Sequence, residues 1–207
     1  MTSLSKDDQA QRRTLLIVLV LNALLFVGLG IGGLVADSSA LIANAADNAS
    51  DSVVYLLSFL AVGRAVHWKR RAARTSGILL LLFAVGVLVD TGRRWLFGAE
   101  PFGPTMMAMA VVAAVINLIC LVLIQRAQSD EVHMRAAETF SFNDFASNGG
   151  ILIAGGLVMW LRQPWPDLVV GAIVALIAAK GGLEILEVAK ATSEETCEVA
   201  PEIRTVG

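Results

Sequence analysis

The segment NAADNASD, residues 44–51, places two aspartates and two asparagines inside an otherwise apolar stretch. The run TLLIVLVLNALLFVGLGIGGLVA (14–36) precedes it and SVVYLLSFLAVG (52–63) follows it. The flanking runs predict membrane helices, yet a charged aspartate at the centre of such a helix costs roughly 2.5–3.5 kcal/mol on insertion scales. The segment therefore indicates both the fold class and the place where function should be sought.

The composition argues against a water-soluble domain. Of the 207 residues, 56% are hydrophobic and 16% are charged, whereas an average soluble domain has about 25% charged residues. The mean hydropathy is +0.70. We expect an all-α integral membrane protein surrounded by a lipid bilayer. The net charge of −2 gives no reason to expect a nucleic-acid partner.

The apolar runs predict six membrane spans, because a helix needs about 20 apolar residues to cross a bilayer. Two runs, 14–36 and 105–126, reach that length without an internal charge. A third, SGILLLLFAVGVLV (76–89), reaches it only with Asp90. The other three carry polar residues and cover 41–63, 138–161 and 166–187. The chain is thus expected to have a cytoplasmic segment (1–12), a six-helix transmembrane domain (13–189) and a short cytoplasmic tail (190–207).

Lysine and arginine residues set the expected orientation. The segment RAVHWKRRAAR (64–74) is strongly basic and connects spans two and three, so that side and both termini are expected to be cytoplasmic. Three tryptophans at the opposite ends of the spans fit the outer interface: Trp95, Trp160 and Trp165. A bacterial cytoplasmic membrane is the expected location. The runs GLGIGG (28–33) and GGILIAGG (149–156) predict close helix contacts.

Helical spacing gathers the polar residues of the second span on one face. Residues 44, 47, 48 and 51 are spaced i, i+3, i+4 and i+7, and span five adds Asp144 and Asn148 one turn apart. A cluster of Asp47, Asp51 and Asp144 suits a divalent cation, with oxygens of Asn44, Asn48 or Asn148 as auxiliary ligands. Because carboxylates bind metal only when deprotonated, such a site could also exchange metal for protons.

Other ionisable residues are expected to be structural or solvated. Asp90 precedes Arg93 and Arg94, so we expect a paired structural acid there. Lys180, Glu184 and Glu187 lie on one helix face, which we interpret as a solvated surface with a long lysine stem. Cys197 is expected in a disordered tail. The chain contains two cysteines, the other being Cys120, and their different depths make a disulfide unexpected.

Five stretches resemble the cation diffusion facilitator family of divalent metal transporters. One of them, WPDLVVGAIVALIAAKGG (165–182), is similar to the opening of that family's sixth span. SSALIANAADNASD (38–51) is similar to that family's second-span signature, and RAAETFSFNDFASNGGILIAG (135–155) is similar to its fifth. LVDTGRRW (88–95) and VINLICLVL (115–123) resemble its third and fourth spans. The resemblance covers most of the six spans and implies the family's six-helix transmembrane fold.

The resemblance implies that Asp47, Asp51 and Asp144 occupy three of the family's four metal-ligand positions. The fourth is Phe140 here, which cannot bind metal. Without a nitrogen ligand, the cluster favours harder cations such as manganese or iron(II) over tetrahedral zinc. The family usually carries a cytosolic ferredoxin-like domain, whereas here only 188–207 follow the last predicted span. We therefore expect a homodimer to be held through transmembrane helices.

The leading hypothesis is a secondary transporter that exports a divalent metal cation of the zinc, manganese, iron, cobalt or cadmium class. We expect proton antiport with alternating access, with the metal as cargo and no cofactor. The alternative is a degenerate, non-transporting relative that serves as a membrane scaffold or metal sensor. Transport of another substrate stays open. An enzyme is least favoured, because we find no nucleophile with a base and no phosphate-binding loop.

Overall fold

A computed structural model describes residues 6–61, 66–126 and 132–198, with side chains at 12–56, 59, 74–126, 144, 147–187 and 190. These residues form six helices, which confirms the predicted all-α class. In chain order they are α1 (Lys6–Val35), α2 (Ser39–Ala61), α3 (Val66–Phe97), α4 (Gly103–Arg126), α5 (Val132–Leu161) and α6 (Trp165–Glu198).

Two helices extend beyond the predicted spans. α3 begins at Val66, so most of the basic segment 64–74 is helical and not a loop. α6 continues to Glu198, so the disordered tail expected around Cys197 is wrong for that part of the chain. Both extensions are rich in alanine, lysine, arginine and glutamate, which favour helix wherever no glycine or proline interrupts them.

Among the described residues, four helices are long and apolar enough to cross a membrane by length and composition: Arg12–Val35, Arg74–Phe97, Gly103–Arg126 and Trp165–Glu187. α2 is outside that set, and α5 contributes only the shorter apolar stretch Ser147–Leu161. α2 contacts all five other helices. Because protein surrounds α2, its side chains need not all be apolar, and this is where the polar residues collect.

The described surface has the polarity expected of a membrane protein. Large apolar side chains such as Leu34, Phe97 and Trp160 are mostly exposed, whereas the buried set includes many asparagines, serines and aspartates. The three tryptophans expected at the outer interface, Trp95, Trp160 and Trp165, are exposed. They lie at or beside the helix ends around residues 98–102 and 162–164, which we call the tryptophan end.

Glycines bring several helices into close contact, as the small-residue runs predict. A Cβ added at Gly33 would lie 2.9 Å from the backbone nitrogen of Ile42, so α1 packs directly on α2. One added at Gly155 would lie 2.8 Å from the Met107 side chain of α4. Gly149 and Gly156 differ, because a Cβ there would meet no described atom within 4 Å. The predicted close helix contact is therefore present at Gly155 but not at Gly149 or Gly156.

Asp167, near the start of α6, holds the beginning of α2 in place. Its carboxylate is fully buried and accepts hydrogen bonds from the Ser38 hydroxyl (2.6 Å), the Ser39 N–H (2.8 Å) and the Ala40 N–H (3.1 Å). The first N–H groups of a helix have no partner within that helix. Asp167 therefore caps α2 together with the local Ser38 hydroxyl, which accepts a hydrogen bond from the Leu41 N–H at 3.2 Å.

A second ionic network ties α3 to the same end. Arg94 is buried and pairs with Asp90 (2.5 Å) and with both the carboxylate and the carbonyl of Asp37. Asp90 also pairs with Arg93 at 2.9 Å, which confirms the expectation of a paired structural acid. Asp37 adopts a φ of 49° in the α1–α2 connection and accepts a hydrogen bond from the Glu100 N–H. Paired charges thus join α3 to the α1–α2 connection at the tryptophan end.

Candidate metal centre

The polar face that the sequence predicts on α2 is buried inside the bundle. Asp47 and Asp51 are 6% and 3% exposed, and Asn44 and Asn48 are fully buried. The face forms because the four residues repeat at helical spacing, and it stays inside because α2 is enclosed by its neighbours. Two carboxyl groups therefore lie one helical turn apart, away from lipid.

α5 brings the third acid to these two. Asp144 is 5% exposed, and its carboxyl group lies close to those of Asp47 and Asp51, in the same cavity. One oxygen each of Asp47 and Asp51, Oδ2, is buried without a hydrogen-bond partner. Buried carboxylates this close together repel one another unless a proton or a cation lies between them. The arrangement is therefore suited to an exchangeable positive charge.

All three acids line one cavity of about 50 Å³. Roughly 10–15 Å³ is enough to hold one water, so an ion and a few waters fit. The remaining lining comes from α2 and α6: Ser50, Ile177, Lys180, Gly181 and Glu184. A Cβ at Gly181 would lie 2.9 Å from Ser50 Oγ, so this glycine lets α6 approach α2 beside the acids.

Lys180 and Glu184 are cavity residues that the sequence interpretation assigned to the solvated surface only. Their side chains are indeed exposed and form an ion pair, but both also line the cavity of the acids. Their i, i+4 spacing fits either role. The sequence offers one further sign: Ala178, Ala179, Gly181 and Gly182 surround Lys180, and small residues mark the face of a membrane helix that approaches another helix.

The three asparagines expected as auxiliary ligands differ in their partners. Asn44 donates a hydrogen bond to Oδ1 of Asn148 at 2.8 Å, which links α2 to α5. Asn48 donates to the Asn44 carbonyl at 2.9 Å, while its own Oδ1 is buried without a partner. Asn48 thus has an amide oxygen without a partner but does not line the cavity of the acids, and Asn44 and Asn148 join the two acid-bearing helices.

The three acids line one cavity, but their side chains are not arranged as a complete set of metal ligands. Within the described part of the chain, no three or more histidine, cysteine, aspartate or glutamate side chains are already arranged to hold a metal ion. The metal role of Asp47, Asp51 and Asp144 therefore stays a prediction. The Phe140 side chain, at the replaced ligand position, lies outside the described residues.

A helical bundle with an apolar exterior and buried acids on an internal helix is the arrangement of an integral membrane protein. The family model described as the cation efflux transmembrane domain matches residues 15–190. The chain belongs to this family.

Three relatives share the family. The chain is 23% identical to "Zinc transporter ZitB" of Yersinia pestis, over 97% of this chain and 67% of the relative. It is 23% identical to "Cadmium, cobalt and zinc/H(+)-K(+) antiporter" of Bacillus subtilis (strain 168), over 97% and 70%. It is 23% identical to "Metal cation efflux system protein CzcD" of Cupriavidus metallidurans, over 79% and 56%. The matches thus span between 56% and 70% of the length of these relatives.

Proposed function

We propose that this chain exports a divalent metal cation across the membrane, with Asp47, Asp51 and Asp144 as the binding site. The observation that carries the proposal is the convergence of three buried carboxyl groups, from two helices, on one cavity. Each of the three oxygen-bearing groups suits a hard or borderline divalent ion. Family membership supports cation efflux as the class of activity.

Proton exchange at the same carboxyl groups is the proposed coupling. Carboxyl groups in mutual contact need a proton or a cation between them, so release of the metal favours uptake of protons. One relative is named as an antiporter that exchanges metal for H(+) and K(+). In this scheme the acids hold either the metal or protons, and the bundle alternates the side to which the cavity opens.

The contacts that join helices at the tryptophan end support a cavity that opens at the opposite end. Asp167, Arg94 and their partners join α2, α3 and α6 beyond the acids, and the Asn44–Asn148 bond lies between the acids and that end. Lys180 and Glu184 line the cavity and are exposed. With the predicted orientation, this corresponds to a state that receives metal from the cytoplasm.

Transport in liposomes that contain a metal-sensitive dye tests the proposal. We expect zinc, cobalt or manganese flux with the parent protein and none with Asp51→Ala or Asp144→Ala. Asp90→Ala serves as the matched control, because Asp90 pairs with arginines away from the cavity. Equal flux in all four proteins would reject the proposed site, and no flux in the parent would favour a non-transporting scaffold or sensor.

Metal preference is tested separately at Phe140. If the Phe140 position faces the acids, Phe140→His supplies the nitrogen ligand that tetrahedral zinc prefers. We expect zinc to gain relative to manganese in competition flux assays, with the parent as reference. An unchanged metal ranking would show that Phe140 does not belong to the site.

A further inference from the structure

Lys180 is the residue with a positive charge among the described residues that line the acid cavity. It projects from α6, whose glycine at 181 lies against Ser50, between Asp47 and Asp51 on α2. Lysine carries a compact ammonium on a flexible four-carbon stem. The lysine therefore starts within the same cavity as the three acids and has a long, mobile side chain.

The ion pair that Lys180 makes on its own helix is weak. The distance from Nζ to Glu184 Oε1 is 3.6 Å, and the two side chains are 78% and 48% exposed. Exposed pairs of this kind contribute little, because water and salt screen them. Lysine also precedes glutamate here, which is the less favourable order at i, i+4 spacing. Glu184 therefore does not fix the ammonium in one place.

Among the described side chains, in contrast, none with a positive charge pairs with the acids inside the fold. Asp47 and Asp51 each keep one buried oxygen without a partner, and Asp144 lies against both. Removing a carboxylate from water is unfavourable unless a cation or hydrogen-bond donors replace the water. An ammonium that reaches the cavity from Lys180 would meet that need whenever the metal is absent.

We propose that Lys180 is a tethered counter-cation of the acid site, which competes with the transported metal. The structure shows the ammonium beside Glu184 at the exposed mouth of the cavity; the inferred second arrangement, adopted when no divalent ion is bound, pairs it with the acids. When a divalent ion enters, the ammonium returns to Glu184 and the exposed mouth of the cavity. This inference rests on the proposed function, because it takes Asp47, Asp51 and Asp144 as the metal site.

A competing ammonium makes the site select ions by their charge. A monovalent ion that replaces the ammonium brings no additional charge to the acids, whereas a divalent ion brings one more. Lys180 thus raises the metal concentration needed to load the site and excludes potassium and sodium. It is a specificity-determining residue that acts at the metal site without being a metal ligand.

Metal-dependent amine labelling tests the movement. The parent protein is exposed briefly to an amine-reactive reagent with and without cobalt, and labelling of Lys180 is measured by mass spectrometry. Lys190, exposed on the same helix, is the internal reference. We expect cobalt to increase Lys180 labelling several-fold without changing Lys190. Labelling of Lys180 that is unchanged or reduced by cobalt would overturn the inference.

Binding titrations with variants keep the two proposals separable. We expect Lys180→Gln to bind cobalt about tenfold more tightly than the parent, because a competing charge is gone, and to become sensitive to potassium. Lys190→Gln should bind like the parent. Loss of binding in Asp51→Asn together with an unaltered Lys180→Gln affinity would reject only the role of Lys180. Unaltered binding in Asp51→Asn would reject the metal site itself.

Discussion

Asp167 and Asp51 are both buried aspartates in one bundle, and they differ in what their oxygens contact. Asp167 accepts three hydrogen bonds from the start of α2, whereas Asp51 keeps an oxygen without a partner and lies against another acid. The fold supplies hydrogen-bond donors to Asp167. It leaves an oxygen of Asp51 to be satisfied by a proton or a cation that is not part of the fold. The difference separates an acid that stabilises structure from one suited to an exchangeable ligand.

The same contrast holds for acids near arginine and acids far from it. Asp90 and Asp37 share Arg94 at the tryptophan end. Asp47 and Asp144 line one cavity together. The lysine of that cavity, Lys180, forms a weak ion pair with Glu184. One region of the molecule has balanced charges in fixed geometry. The other has an excess of negative charge in a space that an ion can enter.

Asp51→Asn should have the largest effect on transport and little effect on stability. The amide removes a metal ligand, so we expect metal flux in liposomes to fall by about 100-fold or more. It also removes a buried, poorly compensated charge, so the thermal unfolding temperature in detergent should stay the same or rise. A large loss of thermal stability would place Asp51 with the structural acids.

Two glycines of α6 offer the next test. Gly171 lies beside the start of α2 near the tryptophan end, and Gly181 lies beside the cavity of the acids. A Cβ at Gly171 would lie 2.8–2.9 Å from backbone atoms of Ser39 and Ala40, which cannot move aside. At Gly181 the nearest atom is the Ser50 hydroxyl, which can rotate. We expect Gly171→Ala to destabilise by about 3 kcal/mol and Gly181→Ala by about 1 kcal/mol or less.

Thermal unfolding of both glycine variants gives the comparison, with Gly156→Ala as control because its Cβ would meet no described atom within 4 Å. The control should be neutral or slightly stabilising, since alanine favours helix over glycine. Equal losses in Gly171→Ala and Gly181→Ala would contradict the difference in packing between the two regions.

Asp167→Asn should lower stability while leaving the metal site in place. The amide keeps one acceptor oxygen but presents an N–H group to the N–H groups of Ser39 or Ala40. We expect a loss of about 2 kcal/mol, typical for a hydrogen bond to a charged group. In thermal unfolding that corresponds to a decrease on the order of 5 °C. Metal binding that vanishes in well-folded Asp167→Asn protein would contradict a purely structural role.

The smallest expected effect distinguishes two adjacent serines. The Ser38 hydroxyl donates to Asp167 and accepts from the Leu41 N–H, while the Ser39 hydroxyl is buried without a partner. Ser38→Ala should cost about 1 kcal/mol, and Ser39→Ala should be neutral or stabilising because an unpaired buried hydroxyl is removed. The opposite order in thermal unfolding would mean that Asp167 does not hold α2 through Ser38.

The sequence could predict the acids of the cavity because their signal is local. A charge inside an apolar run is visible without any neighbour, and helical spacing places Asp47 and Asp51 on one face. Asp90 was equally predictable, since its arginine partners follow within four residues. These features depend on one helix at a time.

The roles of Asp167 and Lys180 depend on how distant helices pack, and the sequence does not display that. The donors to Asp167 lie about 130 residues earlier in the chain and are largely backbone groups, which every sequence has. Lys180 is exposed and paired, as expected, but its position beside the acids follows from the approach of α6 to α2. The sequence alone does not distinguish the role of an aspartate near a helix start from that of one in a helix middle, because the role depends on the partners of each carboxylate.

Calorimetric titration of cobalt into purified Asp144→Asn and Asp90→Asn most directly tests whether the three cavity acids form the metal site. The two variants each remove one negative charge from a membrane helix, and only Asp144 lines the cavity. We expect Asp90→Asn to bind cobalt like the parent and Asp144→Asn to show no stoichiometric binding. Equal cobalt affinity in both variants would contradict the proposed site.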